Sequence, residues 1–204
     1  MFIARCQARS NNKEGASSTF DQAVAAAEAI EKGDPSIRPQ TLMHIAKTQA
    51  EGGFITDAIM TANSIEIKER NCKEWALAHV ASEQARLKDV KGAIALAKSI
   101  PRGGDSLALM FIAERQVEAR SIEDALKTVE DISDRSYKVE ALTIIARAQA
   151  KAGDRTSAEK CLEKALKAAE GLEDGNKNLN TSQRAHALTI IAGAQADSNR
   201  SRGR

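Results

Sequence analysis

Two histidines are the first residues of the chain whose type and position could support chemistry. His44 and His79 occupy the same place in successive copies of a recurring phrase, and Cys72 lies near the second. Imidazole and thiolate groups bind zinc, and imidazole also transfers protons near neutral pH. No carboxylate or cysteine stands at ligand-like spacing, however, and His186 is far along the chain. Packing at a repeat junction is therefore favoured, and we predict neither an enzyme nor a bound metal or other cofactor.

The single tryptophan and a glycine pair are two further candidates. Trp75 could be a hot spot for a partner, although packing against the preceding repeat is the favoured interpretation. A phosphate-binding loop needs a patterned set of glycines, usually followed by lysine. Gly103-Gly104-Asp105 instead follows Pro101 and precedes a helix. This segment therefore predicts a turn and a helix N-cap.

Cysteine usage and charge indicate the compartment and exclude some classes of partner. Cys6, Cys72 and Cys161 are far apart and form no CxxC motif, which is typical of reduced thiols in a cytoplasmic protein. Cys161 is predicted to be a buried or half-buried residue of a second helix rather than a redox thiol. The net charge is only +2 and no apolar run could span a membrane, so neither nucleic acid nor membrane is the expected partner. The basic tail, residues 198–204, is expected to be disordered and solvated.

A phrase that recurs along the chain predicts the elements that position these residues. Each copy places an Ala three residues before a Gln, with Ile or Val directly before that Ala, and all copies but the first add a Leu three residues earlier. These spacings put the four residues on one face of a helix and do not fit the alternation of a strand. Each phrase therefore predicts a first helix. The glutamines are Gln7, Gln49, Gln84, Gln116, Gln149 and Gln195.

A second helix is expected to follow each phrase at a nearly constant distance. An Ala lies nine residues after the Gln in four copies, and an apolar residue or Ala lies seven further on. The short link carries helix-ending signals at Gly52-Gly53 and at Gly153-Asp154. In the first copy we match Ala23 to this Ala, which predicts a polar insertion of seven residues within 11–18. The period is then about 32–35 residues, one helical hairpin per repeat.

The order L-x2-I-A-x2-Q-x3-G-x4-A-x6-[I/A] resembles the tetratricopeptide (TPR) repeat over roughly residues 1–197. Ala146 takes the place of the family's small residue in the first helix, and Gly153 takes the place of its turn glycine. The chain departs from the family where Leu and Gln replace the two aromatic residues of the first helix. Lys88 and Arg120 stand in place of the turn glycine in the middle copies.

The resemblance implies an all-α fold, a right-handed solenoid of stacked antiparallel hairpins in a single domain. The Gly-, Asn- and Asp-rich stretch 171–183 predicts a loop before the last element. The expected hairpins span about residues 1–36, 37–71, 72–104, 105–137 and 138–180, followed by a final helix over 182–197.

The resemblance also implies a function, namely a scaffold that holds a peptide or partner protein on the concave surface of its first helices. We call this predicted surface the inner face. Its mixture of charges and methionines suits adaptable peptide contacts. The residues expected on the inner face are Met43, Lys47, Trp75, Ser82, Met110, Glu114, Arg147 and Lys151.

Two other functions are compatible with the same repeat. An RNA-binding helical-repeat protein has a similar period but needs a continuous basic stripe, which Glu51, Glu114 and Glu118 would interrupt. The chain could also be a self-assembling fragment of a longer repeat protein, forming a homo-oligomer through its exposed repeat ends.

Overall fold

The described part of the chain is all-α and contains no β-strand. The predicted fold class is therefore confirmed at that level. None of its helices is long and apolar enough to cross a membrane. The loop predicted over 171–183 and the tail predicted over 198–204 lie outside the described residues. A computed structural model describes residues 2–30, 37–66, 71–101, 103–170, 185, 188–189 and 191–195.

Ten helices follow one another among the described residues between Phe2 and Glu170, and each recurring phrase from Gln7 to Gln149 lies in an odd-numbered one. The odd-numbered helices, which we call first helices, are α1 (Phe2–Arg9), α3 (Ile37–Glu51), α5 (Cys72–Arg86), α7 (Gly104–Glu118) and α9 (Arg135–Lys151). The second helices are α2 (Lys13–Glu28), α4 (Ile55–Asn63), α6 (Val90–Ser99), α8 (Ile122–Glu130) and α10 (Arg155–Glu170). Residues 191–195, within the predicted final helix, are helical as well.

The chain divides into two compact units, Met1–Ala108 and Leu109–Arg204, with the boundary inside α7. In the first unit α1 packs on α2, α3 on α4, and α5 on α6, while α3 also contacts α1, α2 and α5. In the second unit α9 packs on both α8 and α10. These packed helix pairs are compatible with a helical repeat.

Small residues allow the paired helices to approach closely. The alanine that stands three residues before the recurring Gln is at most 2% exposed in all five first helices, from Ala4 to Ala146. Larger side chains fill the spaces between the pairs. Phe20 of α2 meets Phe54 edge to face, with 5.4 Å between ring centroids, a favoured aromatic geometry.

Every first helix ends in the same hydrogen-bonded turn. The N–H of the fifth residue after the recurring Gln donates to the carbonyl of that Gln. The N–H of the fourth residue after the Gln donates to the carbonyl of the first residue after it. This pair of bonds defines the Schellman motif, which satisfies carbonyls that a helix end would otherwise leave unpaired. The N–H donors to the Gln carbonyls are those of Asn12, Phe54, Asp89, Ser121 and Asp154, at 2.8–3.1 Å.

The residue four positions after each Gln has a left-handed backbone, whatever its type. Its φ lies between +62° and +88° in all five copies, and its side chain is exposed wherever it has one. A glycine carries this conformation in the two copies where the sequence predicts one. The other copies retain it without glycine, at a cost of about 1–2 kcal/mol each, offset by the two turn hydrogen bonds. The five residues are Asn11, Gly53, Lys88, Arg120 and Gly153.

The predicted insertion in the first copy is wrong. Helix α2 begins directly after Asn12, whose side-chain Oδ1 accepts the N–H of Gly15 at 3.0 Å. Ala16, nine residues after Gln7, is completely buried, whereas Ala23 is half-buried. The additional residues instead lengthen α2, which has 16 residues against 9 in α4. The alanine-rich sequence of α2 offered two matching alanines, and only burial distinguishes them.

The turn predicted at Gly103-Gly104 is confirmed. Gly103 has a φ of +76°, and the N–H of Gly104 donates to the carbonyl of Pro101 at 3.1 Å. A Cβ at Gly104 would lie 2.5 Å from Cγ2 of Ile100 and 2.9 Å from Cβ of Glu74. The second glycine is therefore a packing residue, because it lets the start of α7 approach α5 closely.

Candidate functional site

The residues predicted for the inner face differ widely in exposure. Trp75 is 41% exposed and Lys151 is exposed, whereas Ser82 and Met110 are each only 4% exposed and face the interior. Small and apolar side chains at these positions allow close helix packing, so these two residues do not present themselves to solvent. The half-buried members are Met43, Lys47, Glu114 and Arg147.

Two contacts involve inner-face positions of helices that carry the recurring Gln. In the first unit Arg5 of α1, two residues before its Gln, pairs with Glu51 of α3, two residues after its Gln, at 3.6 Å. In the second unit the Nη2 of Arg147, two residues before its Gln, lies 3.1 Å from the place of a Cβ at Gly193. Gly193 is also two residues before its Gln. In each unit, therefore, an arginine two residues before the Gln reaches an inner-face position of another helix that carries the recurring phrase.

The recurring glutamine connects the two helices of a hairpin in two copies. Thr19 Oγ1 of α2 donates to Gln7 Oε1 of α1, and Thr128 Oγ1 of α8 donates to Gln116 Oε1 of α7, each at 2.8 Å. In both pairs the threonine follows the glutamine by twelve residues. In these two copies the partner of the glutamine is a side-chain hydroxyl of the second helix.

The remaining copies use the glutamine differently. Gln84 has Leu96 twelve residues later and instead donates from Nε2 to Asp89 Oδ2, at 2.6 Å. That bond, and to a lesser extent the hydrogen bond from the N–H of Gly92, holds the pKa of the Asp89 carboxyl below its ordinary value. Gln49 and Gln149 are buried, and their Oε1 atoms have no hydrogen-bond partner.

His44 and His79 lie in different surroundings. No group of three His, Cys, Asp or Glu side chains among the described residues is arranged to hold a metal ion. His44 is exposed, and His79 stacks obliquely on Trp75, one helical turn away in α5, with ring centroids 5.7 Å apart. Trp75 therefore combines a large exposed ring surface with support from its own helix.

The cysteines are free and differ in exposure. Cys6 is exposed, whereas Cys72 and Cys161 are buried. Burial raises the pKa of the Cys161 thiol above its ordinary value, since the thiolate would lose its hydration. The prediction that Cys161 is a buried residue of a second helix is confirmed.

A cleft of about 300 Å³ lies between α2 and α4 in the first unit. Asp21 and Glu28 of α2 and Asp57 of α4 contribute carboxylates, and no basic side chain is among the described residues that line it. Gln49 of α3 also lines the cleft and is only 2% exposed. We call this feature the acidic cleft. Its charge favours a cationic group, and Met60 adds an apolar contact surface.

The acidic cleft is not evident in the sequence, because its residues come from three helices. The seven-residue spacing of Asp21 and Glu28 places both carboxylates on one face of α2, which is visible in the sequence. Their closeness to Asp57 depends on which second helix lies beside α2. The misplaced insertion also shifted α2 by seven residues relative to α4, so the sequence alignment of the copies obscured the cluster.

Comparison of the chain with protein-family models, with curated proteins and with solved structures found no match in any of the three.

Proposed function

We propose that this protein is a non-catalytic, TPR-like scaffold, a right-handed solenoid of antiparallel hairpins. It holds a peptide or partner protein on the inner face of its first helices. Rigid helices offer such a surface without a large loss of conformational entropy on binding. The free cysteines favour a cytoplasmic location for this scaffold.

The contact between Arg5 and Glu51 carries this proposal. It joins inner-face positions of α1 and α3, two first helices that also contact each other directly. Both side chains are partly exposed, so the pair itself adds little stability. Its value is geometric, because it supports an arrangement in which α1 and α3 present these positions side by side. The repeated Schellman turns support the same arrangement, since each hairpin is closed in the same way.

The charges of the exposed and half-buried inner-face residues support a protein or peptide partner over RNA. Lys47 is accompanied by Glu51 in the first unit, and Lys151 by Glu114 in the second, so each unit carries both signs. An RNA-binding surface instead needs a sustained basic stripe to neutralise phosphates. Trp75, large and 41% exposed, is the residue type most enriched at binding hot spots.

Affinity capture with two matched variants tests the proposal. The face variant carries Lys47→Glu, Trp75→Ala, Glu114→Lys and Lys151→Glu. The control variant carries Lys91→Glu, Leu87→Ala, Glu123→Lys and Lys160→Glu, at exposed positions on second helices or their turns. Both variants change the net charge equally and remove one exposed large apolar residue, because Leu87 is 46% exposed.

We expect the control variant to recover the same partners as the wild-type chain from an extract of the source cells. The face variant is expected to lose them, as quantified by mass spectrometry of the captured proteins. Circular dichroism checks that both variants stay folded. Equal recovery by a folded face variant would exclude the inner face as the binding surface.

A further inference from the structure

The acidic cleft lies between second helices and is distinct from the inner face. We propose that it binds the guanidinium group of an arginine side chain from a partner polypeptide. This inference does not depend on the function proposed for the inner face, because the two surfaces share none of their named residues.

Charge is the first of the observations behind it. Asp21 and Glu28 approach the cleft from α2, and Asp57 approaches it from α4, so carboxylates stand on both walls. Asp21 and Glu28 are exposed and Asp57 is half-buried, so these carboxylates can be reached from solvent. A cation between the walls would relieve the mutual repulsion of the like charges.

The buried amide of Gln49 is the second and independent observation. This side chain lines the cleft, is 2% exposed, and its Oε1 has no hydrogen-bond partner. A buried acceptor without a donor destabilises the folded state, because its hydrogen bonds to water are lost and not replaced. A ligand that brings an N–H group to the floor of the cleft would satisfy it, after a rotation of the terminal amide where needed.

Two other copies of the repeat show which donor this amide can use. Gln7 and Gln116 each accept a bond from the threonine twelve residues later. The equivalent threonine after Gln49 is Thr61, which also lines the cleft. Gln49 has such a threonine but does not make this bond, so in this copy both polar side chains are available to a ligand at the cleft.

The number and geometry of the acceptors favour guanidinium over ammonium. Guanidinium has five N–H donors in a planar fork that matches carboxylates on two sides, whereas ammonium has three donors around a compact point charge. The aliphatic stem of arginine would lie along Met60 and Val24, which form an apolar part of the lining. A volume of about 300 Å³ is at the small end of ligand pockets, in keeping with a single side chain.

Nuclear magnetic resonance titration of the full chain tests the proposal with the acetylated and amidated peptide Gly-Ser-Arg-Ser-Gly. We expect saturable shifts of the Met60 methyl and Gln49 side-chain amide signals. The same peptide with citrulline, which keeps the shape but removes the charge, should produce no saturable shift. The lysine peptide should bind several-fold more weakly than the arginine peptide.

Two variants assign the effect to the acidic cleft. Asp21→Asn, Glu28→Gln and Asp57→Asn together should weaken binding about tenfold, because three ion pairs are removed. Gln49→Met, of similar shape, should weaken it several-fold while the chain stays folded. The matched control is Glu123→Gln, Asp124→Asn and Glu130→Gln in α8, which removes the same number of negative charges. Asp124 lies in the first turn of its helix, as Asp57 does in α4.

Equal binding of the citrulline or lysine peptide would overturn the proposal, as would undiminished binding to the triple cleft variant. Loss of binding in the α8 control would also overturn it, because the effect would then follow net charge. None of these outcomes bears on the inner face, which is tested by capture of partners.

Discussion

Thr128 Oγ1 of α8 donates a hydrogen bond of 2.8 Å to Oε1 of Gln116 in α7, and each residue is only 5% exposed. The bond joins the two helices of one hairpin at a point from which water is largely excluded. Thr19 and Gln7 repeat it in the first hairpin at the same distance. A polar pair therefore stands at the place where the TPR family has an aromatic residue.

Thr128→Val should destabilise the protein by about 1–2 kcal/mol, because it leaves the buried Gln116 amide oxygen without a donor. Thr61→Val is the matched control. Gln49 Oε1 has no partner in the native protein, so this change should alter the free energy of unfolding by less than about 0.5 kcal/mol. Urea denaturation measures both. Equal losses would mean that the hydrogen bond contributes nothing beyond packing.

Lys88→Gly and Arg120→Gly should each stabilise the protein by about 1 kcal/mol, because glycine adopts the left-handed conformation without steric cost. Glycine also loses more backbone entropy on folding, which keeps the gain from being larger. Lys88→Ala and Arg120→Ala serve as controls that remove the charge and retain the Cβ. Thermal and urea unfolding report the change, and a glycine variant no more stable than its alanine counterpart would refute the expected strain.

Much of the helical organisation could be predicted because the spacing of apolar residues and alanines directly reflects the helix. The recurring spacing of Leu, Ile or Val, Ala and Gln predicted all five first helices of the described part. It could not reveal that Lys88 and Arg120 keep the turn, since a left-handed backbone is stabilised by hydrogen bonds that any residue except proline can make. The sequence predicts the wrong start for α2, because Ala16 and Ala23 are the same residue type and differ only in burial.

Gly104→Ala should destabilise the protein by roughly 1–3 kcal/mol, a typical cost of overpacking. Its Cβ would lie 2.5 Å from Ile100 and 2.9 Å from Glu74, and neither position is the far end of a flexible chain. Gly103→Ala is an informative comparison, since its Cβ would meet nothing but its φ of +76° imposes backbone strain. Combining Gly104→Ala with Ile100→Leu, which removes the Cγ2 methyl, should recover part of the loss. If it recovers none, contact with Ile100 is not the cause.

Stability should fall in acid partly through Asp89 and Asp154. Hydrogen bonds from Gln84 and from the N–H of Gly92 hold the pKa of Asp89 below its ordinary 3.8, and bonds from Ser157 do the same for the pKa of Asp154. Groups with a lowered pKa stabilise the folded state above the unfolded pKa, and this contribution is lost as pH falls through the folded pKa. The double variant Asp89→Asn, Asp154→Asn should therefore lose less stability than the wild type between pH 6 and pH 3. Parallel losses in urea midpoint would contradict this.

The three thiols should react at different rates with iodoacetamide. Cys6 is exposed and should be alkylated first, while Cys161 is buried and its pKa is raised above 9.0, so little thiolate is present at neutral pH. Peptide mapping at pH 7 should show at least roughly tenfold slower labelling of Cys161. Because the unfolded thiol ionises first, the contribution of Cys161 to stability is intact below about pH 9 and declines above it. Similar labelling rates in the folded protein would contradict the burial.

The two proposed binding surfaces were harder to predict from the sequence than the helices. Periodicity assigns a residue to a side of its helix, but Ser82 and Met110 show that positions on that side can be buried within the fold. The acidic cleft depends on which helices are adjacent and on one hydrogen bond that is not made at Gln49. Neither the adjacency of these helices nor the missing hydrogen bond can be deduced from the spacing of residues along the chain.

The Schellman turns have a practical consequence for labelling this protein. The side chain at the left-handed position is exposed wherever there is one, and the turn is maintained by backbone bonds with asparagine, lysine, arginine or glycine in place. Asn11, Lys88 and Arg120 are thus natural attachment points for fluorophores or spin labels. A probe linked there would report from a fixed, hydrogen-bonded anchor at the tip of a hairpin without touching the helix contacts beneath it.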